Sequence, residues 1–354
     1  MWSTARDVAA GDLVIVWQTR ELIQPLLITP GKDFNSRFGY YRHADIVGIP
    51  YGSKVGSRNG RGFIHVLRPT PELWTMALPH RTQILYLADI AFITSWLDIK
   101  HGSRVIEAGT GSGSFSHSIA RTIGSAGHLW SYEFHEARAN KAREEFSLHG
   151  MADIVTLTHR NVCKDGFTVE DTVDAVFLDL PAPWDAIEHA KKALKKNVPT
   201  RICCFSPCME QVLRTVSALN DSGFTDITMF ESLLRPHEVH QIAPQPLAYA
   251  IEKLKKSEQK REEKRQNQIA RSSKRKRDDL PETDAENAGG KRFKTQESAG
   301  DDVRAFDIPD PVVDQPANQP VKMSVSKACP EVRGHTSYLT FARLVPAAPA
   351  TNRQ

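Results

Sequence analysis

Hydrophobic positions along the chain change texture twice. Over 1–69 they come in short runs, LVIVW (13–17), PLLITP (25–30), ADIVGIP (44–50) and FIHVLRP (63–69), parted by GKDFNS, YGSK and SRNGRG. Short β-branched and aromatic runs between Gly, Asn, Asp and Ser clusters predict strands, so 1–69 is expected to be a small all-β unit, barrel-like or a sandwich. Thr70-Pro71-Glu72 then predicts a helix start, with Thr as N-cap and Pro at the first helical position. A second helix is expected after Pro79, through QILYLADIAFITSWLDI (83–99).

From residue 102 strands and helices alternate. Strands are expected over 103–109, 128–134, 153–160, 174–179, 201–206 and 224–232, and helices from about 114 and over 136–149, 184–196 and 208–222. That rhythm means βαβ units and a mostly parallel sheet covered on both faces. At about 253 the pattern is lost: 253–279 is almost wholly charged and polar, and 280–327 carries few large apolar groups. Such a segment buries too little to order itself, so 253–333 is expected to be a disordered charged insertion. GHTSYLTFARLV (334–345) restores the apolar pattern. It is expected to be a last sheet strand, because Tyr338, Leu339 and Phe341 are costly to leave exposed. The expected organisation is a β unit over 1–69, an α/β domain over 70–252, the insertion, the strand at 334–345 and a disordered tail over 346–354.

Composition adds limits. A chain of 354 residues with 40% hydrophobic and 25% charged residues has a globular make-up, and its net charge of +4 gives no nucleic-acid signal by itself. Local charge does: Arg37, Phe38, Tyr40, Tyr41, Arg42 and His43, then Lys54, Arg58, Arg61 and Phe63, mix basic and aromatic groups. Five cysteines show no CxxC pair and no His-bearing zinc spacing, so no metal site and no disulfide framework are expected. No apolar stretch reaches 18 residues, so no membrane span is expected, and MWSTARDVAAGD lacks a signal-peptide core.

The strongest motif is VIEAGTGSGSFS (105–116), a strand running into Gly109, Gly111 and Gly113 before a helix. A dinucleotide fingerprint would carry its third glycine at 114, where this chain has Ser114. With Glu107 ahead of it, this ExGxGxG form suits a cofactor without a pyrophosphate, such as S-adenosylmethionine. Glu133 ends the second predicted strand, where a carboxylate accepts both ribose hydroxyls of an adenosine. Asn161 ends the third; its carbonyl is a candidate acceptor for an adenine amino group, with the Val162 backbone at the ring edge. Asp179 ends the fourth, in VFLDLPAPW (176–184). Four strand ends thus converge on the crevice where open α/β sheets bind ligands. Pro181 and Pro183 stiffen the turn, and Trp184 offers a face for a base. A solvated strand end explains any one of these acids alone; the order and spacing of all of them favour a site. A nicotinamide oxidoreductase would share the strand-end acid but lacks the third glycine.

Together TPELWTMALPHRTQILY (70–86), EAGTGSGSFSHS (107–118), EFHEARANKAREEF (133–146), FLDLPAPW (177–184) and FSPCMEQV (205–212) resemble the catalytic subunits of eukaryotic tRNA (adenine-N1)-methyltransferases. The resemblance covers roughly 10–250 and returns in GHTSYLTF; the long insertion lies outside the common core and points to a fungal member. It implies a class I, Rossmann-like, S-adenosylmethionine-dependent methyltransferase with a small N-terminal all-β domain. It implies methyl transfer to N1 of adenosine 58 in the tRNA T-loop, initiator methionyl-tRNA included. The cofactor is then expected at Leu85, Glu107, Gly109, Gly111, Ser112, Gly113, Ser114, Phe115, Ser116, His117, Glu133, Arg138, Asn161, Val162 and Asp179, with Asp179 also catalytic. Asn161 stands where the fold usually has an acid. RNA contacts are expected at Arg37, Phe38, Gly39, Tyr40, Gly62, Phe63, His80, Arg81 and Gln83. The implied partner is a non-catalytic RNA-binding subunit, in a heterotetramer of two copies of each. That paralogue lacks the cofactor motif; this chain keeps it together with Glu133 and Asp179, which favours the catalytic role. The basic runs SSKRKRDD (272–279) and KRFK (291–294) are expected to be a nuclear import signal, against a solvated charge run or nonspecific tRNA affinity.

Overall fold

The structure, a computed structural model, describes residues 2–79, 82, 84–233, 237–242, 247–278, 323–328 and 337–346. The chain divides into two compact units, Met1–Arg235 with Glu331–Gln354, and Pro236–Pro330.

In the first unit the N-terminal runs form β1 (Leu13–Thr19), β2 (Leu22–Leu27), β3 (Asp33–Ser36), β4 (Gly39–Arg42), α1 (His43–Ile46), β5 (Ser53–Gly56) and β6 (Phe63–Leu67). Strands β2-β1-β6-β5 make an antiparallel sheet, and β3 and β4 pair as a separate hairpin. Strand pairing does not close them into a barrel. The run at 44–50, expected as a strand, is instead α1 and a turn. There the buried His43 ring accepts a hydrogen bond from the Thr29 N–H at 3.0 Å, and Ile46 joins the core of Val14, Val16, Ile28, Ile64 and Val66. Tertiary burial overrides strand propensity at this point.

Thr70 caps α2 (Pro71–Ala77) as expected, its hydroxyl accepting from the Leu73 N–H at 3.2 Å. The second helix, α3 (Leu87–Trp96), starts four residues later than expected. Alternation then gives β7 (Arg104–Ala108), α4 (Ser114–Ile123), β8 (His128–Glu133), α5 (Glu136–Leu148), β9 (Val155–His159), α6 (Val162–Asp165), β10 (Ala175–Leu178), a 3-10 turn at Pro183–Ala186, α7 (Ile187–Ala193), β11 (Thr200–Ser206), α8 (Met209–Asp221) and β12 (Thr225–Phe230).

In the second unit β13 (His237–Ile242) pairs antiparallel with β14 (Met323–Ala328), and α9 (Leu247–Asp278) is a long helix, exposed over 247–270. The expectation of disorder over 253–333 therefore fails for 253–278 and 323–328. Lys, Arg, Glu and Gln are good helix formers, and pairs such as Lys256–Glu252 at i,i+4 support the helix without a buried face.

The last strand, β15 (Tyr338–Leu344), belongs to the first unit and completes a seven-stranded sheet of order β12-β15-β11-β10-β7-β8-β9. Strands β7 to β11 pair in parallel, and β15 runs against both of its neighbours. Alternation along each strand feeds two cores. Val105, Phe177, Cys203 and Phe341 face Ile93, Phe115, Ile119 and Phe146. Ile106, Val176, Ile202 and Ala342 face Ile187, Ala190 and Leu219. Chain order leaves β7 toward β8 and β9 on one side and toward β10 and β11 on the other. The carboxyl ends of β7 and β10 therefore flank the crevice that such a switch in strand order opens.

Candidate active site

A cavity of about 690 Å³ lies at that crevice. Its size suits a drug-sized ligand. It begins at the glycine turn. Gly109 has a φ of +99°, and a Cβ there would fall on the backbone oxygen of Asp179. Gly111 has a φ of +53°, and a Cβ there would stand 3.0 Å from the Thr82 hydroxyl. The turn is thus packed as tightly as backbone allows between the β10 loop and residue 82, which only glycine permits. Thr82 and Leu85 flank its outer side. Ser114 donates to the Leu85 carbonyl at 2.9 Å and so accepts from Thr75 at 2.8 Å.

Glu133 closes the next side. It is buried, and its two oxygens split their work. Oε2 accepts from the Gly111 N–H at 2.9 Å; Oε1 accepts from the His135 N–H at 2.9 Å and pairs with the Arg138 Nη2 at 2.9 Å. Asn161 and Val162 lie beside it. The Asn161 Oδ1 accepts from the Lys164 N–H at 3.3 Å and so caps α6. One lone pair of the candidate adenine acceptor is already used.

Glu107 stands at the cavity floor, fully buried. Its Oε2 accepts from Ser116 at 2.6 Å and from Ser131 at 2.7 Å, and Thr110 donates in turn to Ser131 at 2.6 Å. Burial pushes its carboxyl up to about 8 against those hydrogen bonds, and the charges of Asp179 and Glu133 add to the rise.

Asp179 stands at the end of β10, its backbone packed against Gly109. Its N–H donates to the Ala108 carbonyl at 2.8 Å, which continues the strand pairing by one residue. The residue is half-buried while its carboxyl group is enclosed. Enclosure pushes that carboxyl up to about 7, with Glu133 adding to the shift. Among the described residues no donor is bonded to its side-chain oxygens, so nothing offsets the desolvation.

The cavity thus gathers Leu85, Glu107, Gly109, Gly111, Ser112, Ser114, Phe115, Glu133, Arg138, Asn161, Val162 and Asp179 from the expected set. Three expected contacts lie off its lining. Gly113 turns the chain into α4, Ser116 spends its hydroxyl on Glu107, and His117 is buried between the Gly113 carbonyl at 2.6 Å and the His149 Nδ1 at 2.8 Å. Trp184, expected to offer a face to a base, packs instead against the core below α8, because the 3-10 turn carries it there. Cys208 is the N-cap of α8. Sequence reasoning missed Thr82, Arg160, Phe205, Pro207 and Gln211 on the lining. Phe205 and Pro207 had a signal, since they end the fifth strand at the same edge; Gln211, inside a helix, had none.

Of the expected RNA contacts, Arg37, Phe38, Gly39 and Tyr40 form the tip of the β3–β4 hairpin, and Gly62 and Phe63 enter β6 beside it. A Cβ at Gly62 would stand 3.0 Å from the Phe38 oxygen, so the two segments touch. Arg37 lies over the Phe38 ring at 4.8 Å and Lys54 over the exposed Phe63 ring at 3.7 Å, one basic and aromatic rim. His80, Arg81 and Gln83 lie outside the described residues.

The donor set fits an adenosyl amino-acid cofactor. Carboxylates stand at two walls to meet hydroxyls and positive charge, a backbone-lined turn allows close approach, and Leu85, Phe115 and Val162 supply apolar wall. Among the described residues no group of three or more His, Cys, Asp or Glu side chains could hold a metal ion.

Comparison with known proteins gives a consistent picture. Residues 62–344 match the model of the family described as tRNA methyltransferase complex GCD14 subunit. A protein of Cryptococcus neoformans named tRNA (adenine(58)-N(1))-methyltransferase catalytic subunit TRM61 is 44% identical over 98% of this chain and 84% of its own. Its namesake in Schizosaccharomyces pombe is 39% identical over 96% of this chain and 94% of its own. Among solved structures, a SAM-dependent O-methyltransferase of Thermotoga maritima overlays with a TM-score of 0.67 at 23% identity, covering 98% of this chain and 97% of its own. The tRNA (m1A58) methyltransferase TrmI of Aquifex aeolicus overlays at 0.60 and 18% identity, covering 96% and 100%. These last two share the fold.

Proposed function

The chain belongs to the tRNA methyltransferase complex GCD14 subunit family, and we propose that it is the catalytic subunit of that complex, methylating N1 of adenosine 58 in tRNA with S-adenosylmethionine. One observation carries the reading. An intact glycine turn, Glu133 and an Asp179 carboxylate that no donor among the described residues reaches share one cavity, so the cofactor-binding and reacting sides meet on this chain. A subunit that only bound RNA would have no use for that combination.

S-adenosylmethionine, when bound, supplies a methyl group already activated on a sulfonium. Glu133, set by the Gly111 and His135 N–H groups, would take the ribose hydroxyls, and the turn at 109–113 would line the amino-acid end. Adenine N1 has an in-plane lone pair and no hydrogen, so it needs placing, not deprotonation, before it reacts; proximity is the main task. As N1 gains the methyl group, positive charge spreads to the N6 amino group. Asp179, ionised, accepts from N6–H, orients the ring and stabilises that charge. Its enclosure makes the interaction stronger than it would be in water, and a cation beside it favours its ionised form. The edge carrying N1 must leave its pairing to enter, so the base is extruded, and the basic and aromatic rim of the N-terminal sheet would hold the RNA around it.

The partner is a non-catalytic subunit of the same complex, in two copies of each. KRKR (274–277) would direct the chain to the nucleus. Replacing Lys274, Arg275, Lys276 and Arg277 with Ala should abolish nuclear accumulation of a fluorescent fusion and leave methylation by the purified complex intact; unchanged accumulation refutes the signal. The function itself is tested by co-purifying chain and partner and measuring labelled methyl transfer to tRNA. Transfer to a tRNA with A58 replaced by G, or no transfer at all, overturns the proposal.

A further inference from the structure

The loop after Asp179 cannot hold itself in place. Pro181 and Pro183 lack N–H groups, so DLPAPW makes no ladder beyond the bond from the Asp179 N–H to Ala108. Prolines fix local torsions; they do not fix where a loop sits relative to a cavity. That task falls to the first two turns of α8. The Gln211 Nε2 donates to the Pro181 carbonyl at 2.9 Å. Its Oε1 accepts from the Cys208 thiol at 3.2 Å, at the N-cap of the same helix. Both bonds agree on one orientation of the amide, because Pro181 offers only an acceptor there. One turn on, the Arg214 guanidinium lies 5.3 Å from the centre of the Trp184 ring. On the opposite side the Cys163 thiol donates to the Ala182 carbonyl at 3.8 Å. Gln211, Pro181 and Asp179 all line the cavity.

We propose that Gln211, backed by Arg214, is a positioning residue for methyl transfer: its amide anchors the Asp179–Trp184 loop and so sets where the Asp179 carboxylate stands. The inference rests on the role given to Asp179 above. Asp179 is pinned at its own N–H and again two residues on, at Pro181. The peptide between them is short and proline-stiffened, so a shift at Pro181 is passed to the carboxylate. Among the described residues Gln211 has no hydrogen bond to Glu133 or the glycine turn, whose own bonds, from the Gly109 N–H to Tyr132 and from the Gly111 N–H to Glu133, do not pass through it.

The test uses the assembled complex with tRNA. Gln211→Met keeps the side-chain volume and removes both hydrogen bonds; Gln211→Glu keeps the acceptor for Cys208 and, ionised, loses the donor to Pro181. Both should lower kcat roughly 10- to 100-fold, the scale of a misplaced reacting group, and leave the cofactor Kd within about twofold. A looser loop admits water to Asp179, so the rising limb of the pH profile should move to lower pH in both. Arg214→Ala should give a smaller loss in the same direction. Wild-type kcat and an unmoved pH limb in Gln211→Met would overturn the proposal, as would a loss of cofactor affinity in step with kcat. No methylation by the wild-type complex would instead refute the underlying function, and with it this inference.

Discussion

The two sides of the cavity are built on opposite terms. On the β8 side the Glu133 oxygens receive the Gly111 N–H, the His135 N–H and the Arg138 guanidinium before any ligand arrives. On the β10 side no donor among the described residues reaches the Asp179 oxygens, and enclosure raises that carboxyl to about 7. A carboxylate saturated with fixed donors is a rigid acceptor; one without donors is costly until a ligand brings them. The first arrangement suits binding a molecule whose charge does not change. The second suits a reaction in which charge appears, because the interaction strengthens only then.

The contrast breaks most visibly at Asp179. Asp179→Ala should cost roughly 10²- to 10³-fold or more in kcat, while tRNA affinity is largely kept. Asp179→Asn keeps the shape and should lose nearly as much, since the charge is what acts. In the wild type kcat/KM should rise with pH through a midpoint near 7, because the ionised carboxylate is the active form and enclosure has moved its ionisation there. That limb should be missing from the residual activity of the Asn variant. Near-normal turnover in either variant would remove Asp179 from the chemistry.

At Glu133 the effect should be smaller and of another kind. Glu133→Gln leaves one oxygen to serve donors that now share two, and it turns the Arg138 ion pair into a neutral contact. Charge-assisted hydrogen bonds are worth about 1.5–3 kcal/mol, so the cofactor KM should rise roughly 10- to 100-fold with a lesser change in kcat. Calorimetry of cofactor binding and steady-state rates measure the split. A kcat loss as large as that of Asp179→Ala would erase the proposed division between the two sides.

Both carboxylates were legible in the sequence, as was the order of elements around them. Strand ends are marked by short apolar runs that meet a carboxylate, and Glu133 and Asp179 each stand at such a point. What those polar groups do once folded was less legible. Ser116 and His117 read as cofactor contacts, yet both are spent inside the protein, on Glu107 and on the Gly113 carbonyl. The sequence places a residue on α4 without saying which way its polar atom turns, and a buried polar atom takes the nearest partner. The second unit failed in the other direction: a segment without apolar residues to bury reads as disordered, yet α9 needs only helix propensity and i,i+4 pairs. Gln211 was invisible because its role depends on a loop 30 residues away.

Glu107 tests whether the two carboxylates share one electrostatic field, and its effect is read in stability. Both serine hydroxyls donate to the same oxygen, Oε2, so the other oxygen is where a proton resides in the neutral acid. Glu107→Gln can put its amide nitrogen there and keep both serine bonds through Oε1. The folded carboxyl ionises at about 8 and an unfolded one at its ordinary value of 4.5. Between those values the folded state holds more protons, so stability is full at acid pH and falls as pH rises through the window. The loss is on the order of a few kcal/mol, or several °C in Tm, by pH 8. The Gln variant cannot ionise, so its Tm should match the wild type near pH 5 and exceed it at pH 8, by scanning calorimetry of the complex. Asp179 gives a slope of the same sign that ends near 7, which the Asp179→Asn variant isolates. If Glu107→Gln keeps the full wild-type slope, the buried acid is not its source. If the two variants together flatten the slope by more than the sum of their separate effects, the carboxyls of Glu107 and Asp179 titrate as a coupled pair.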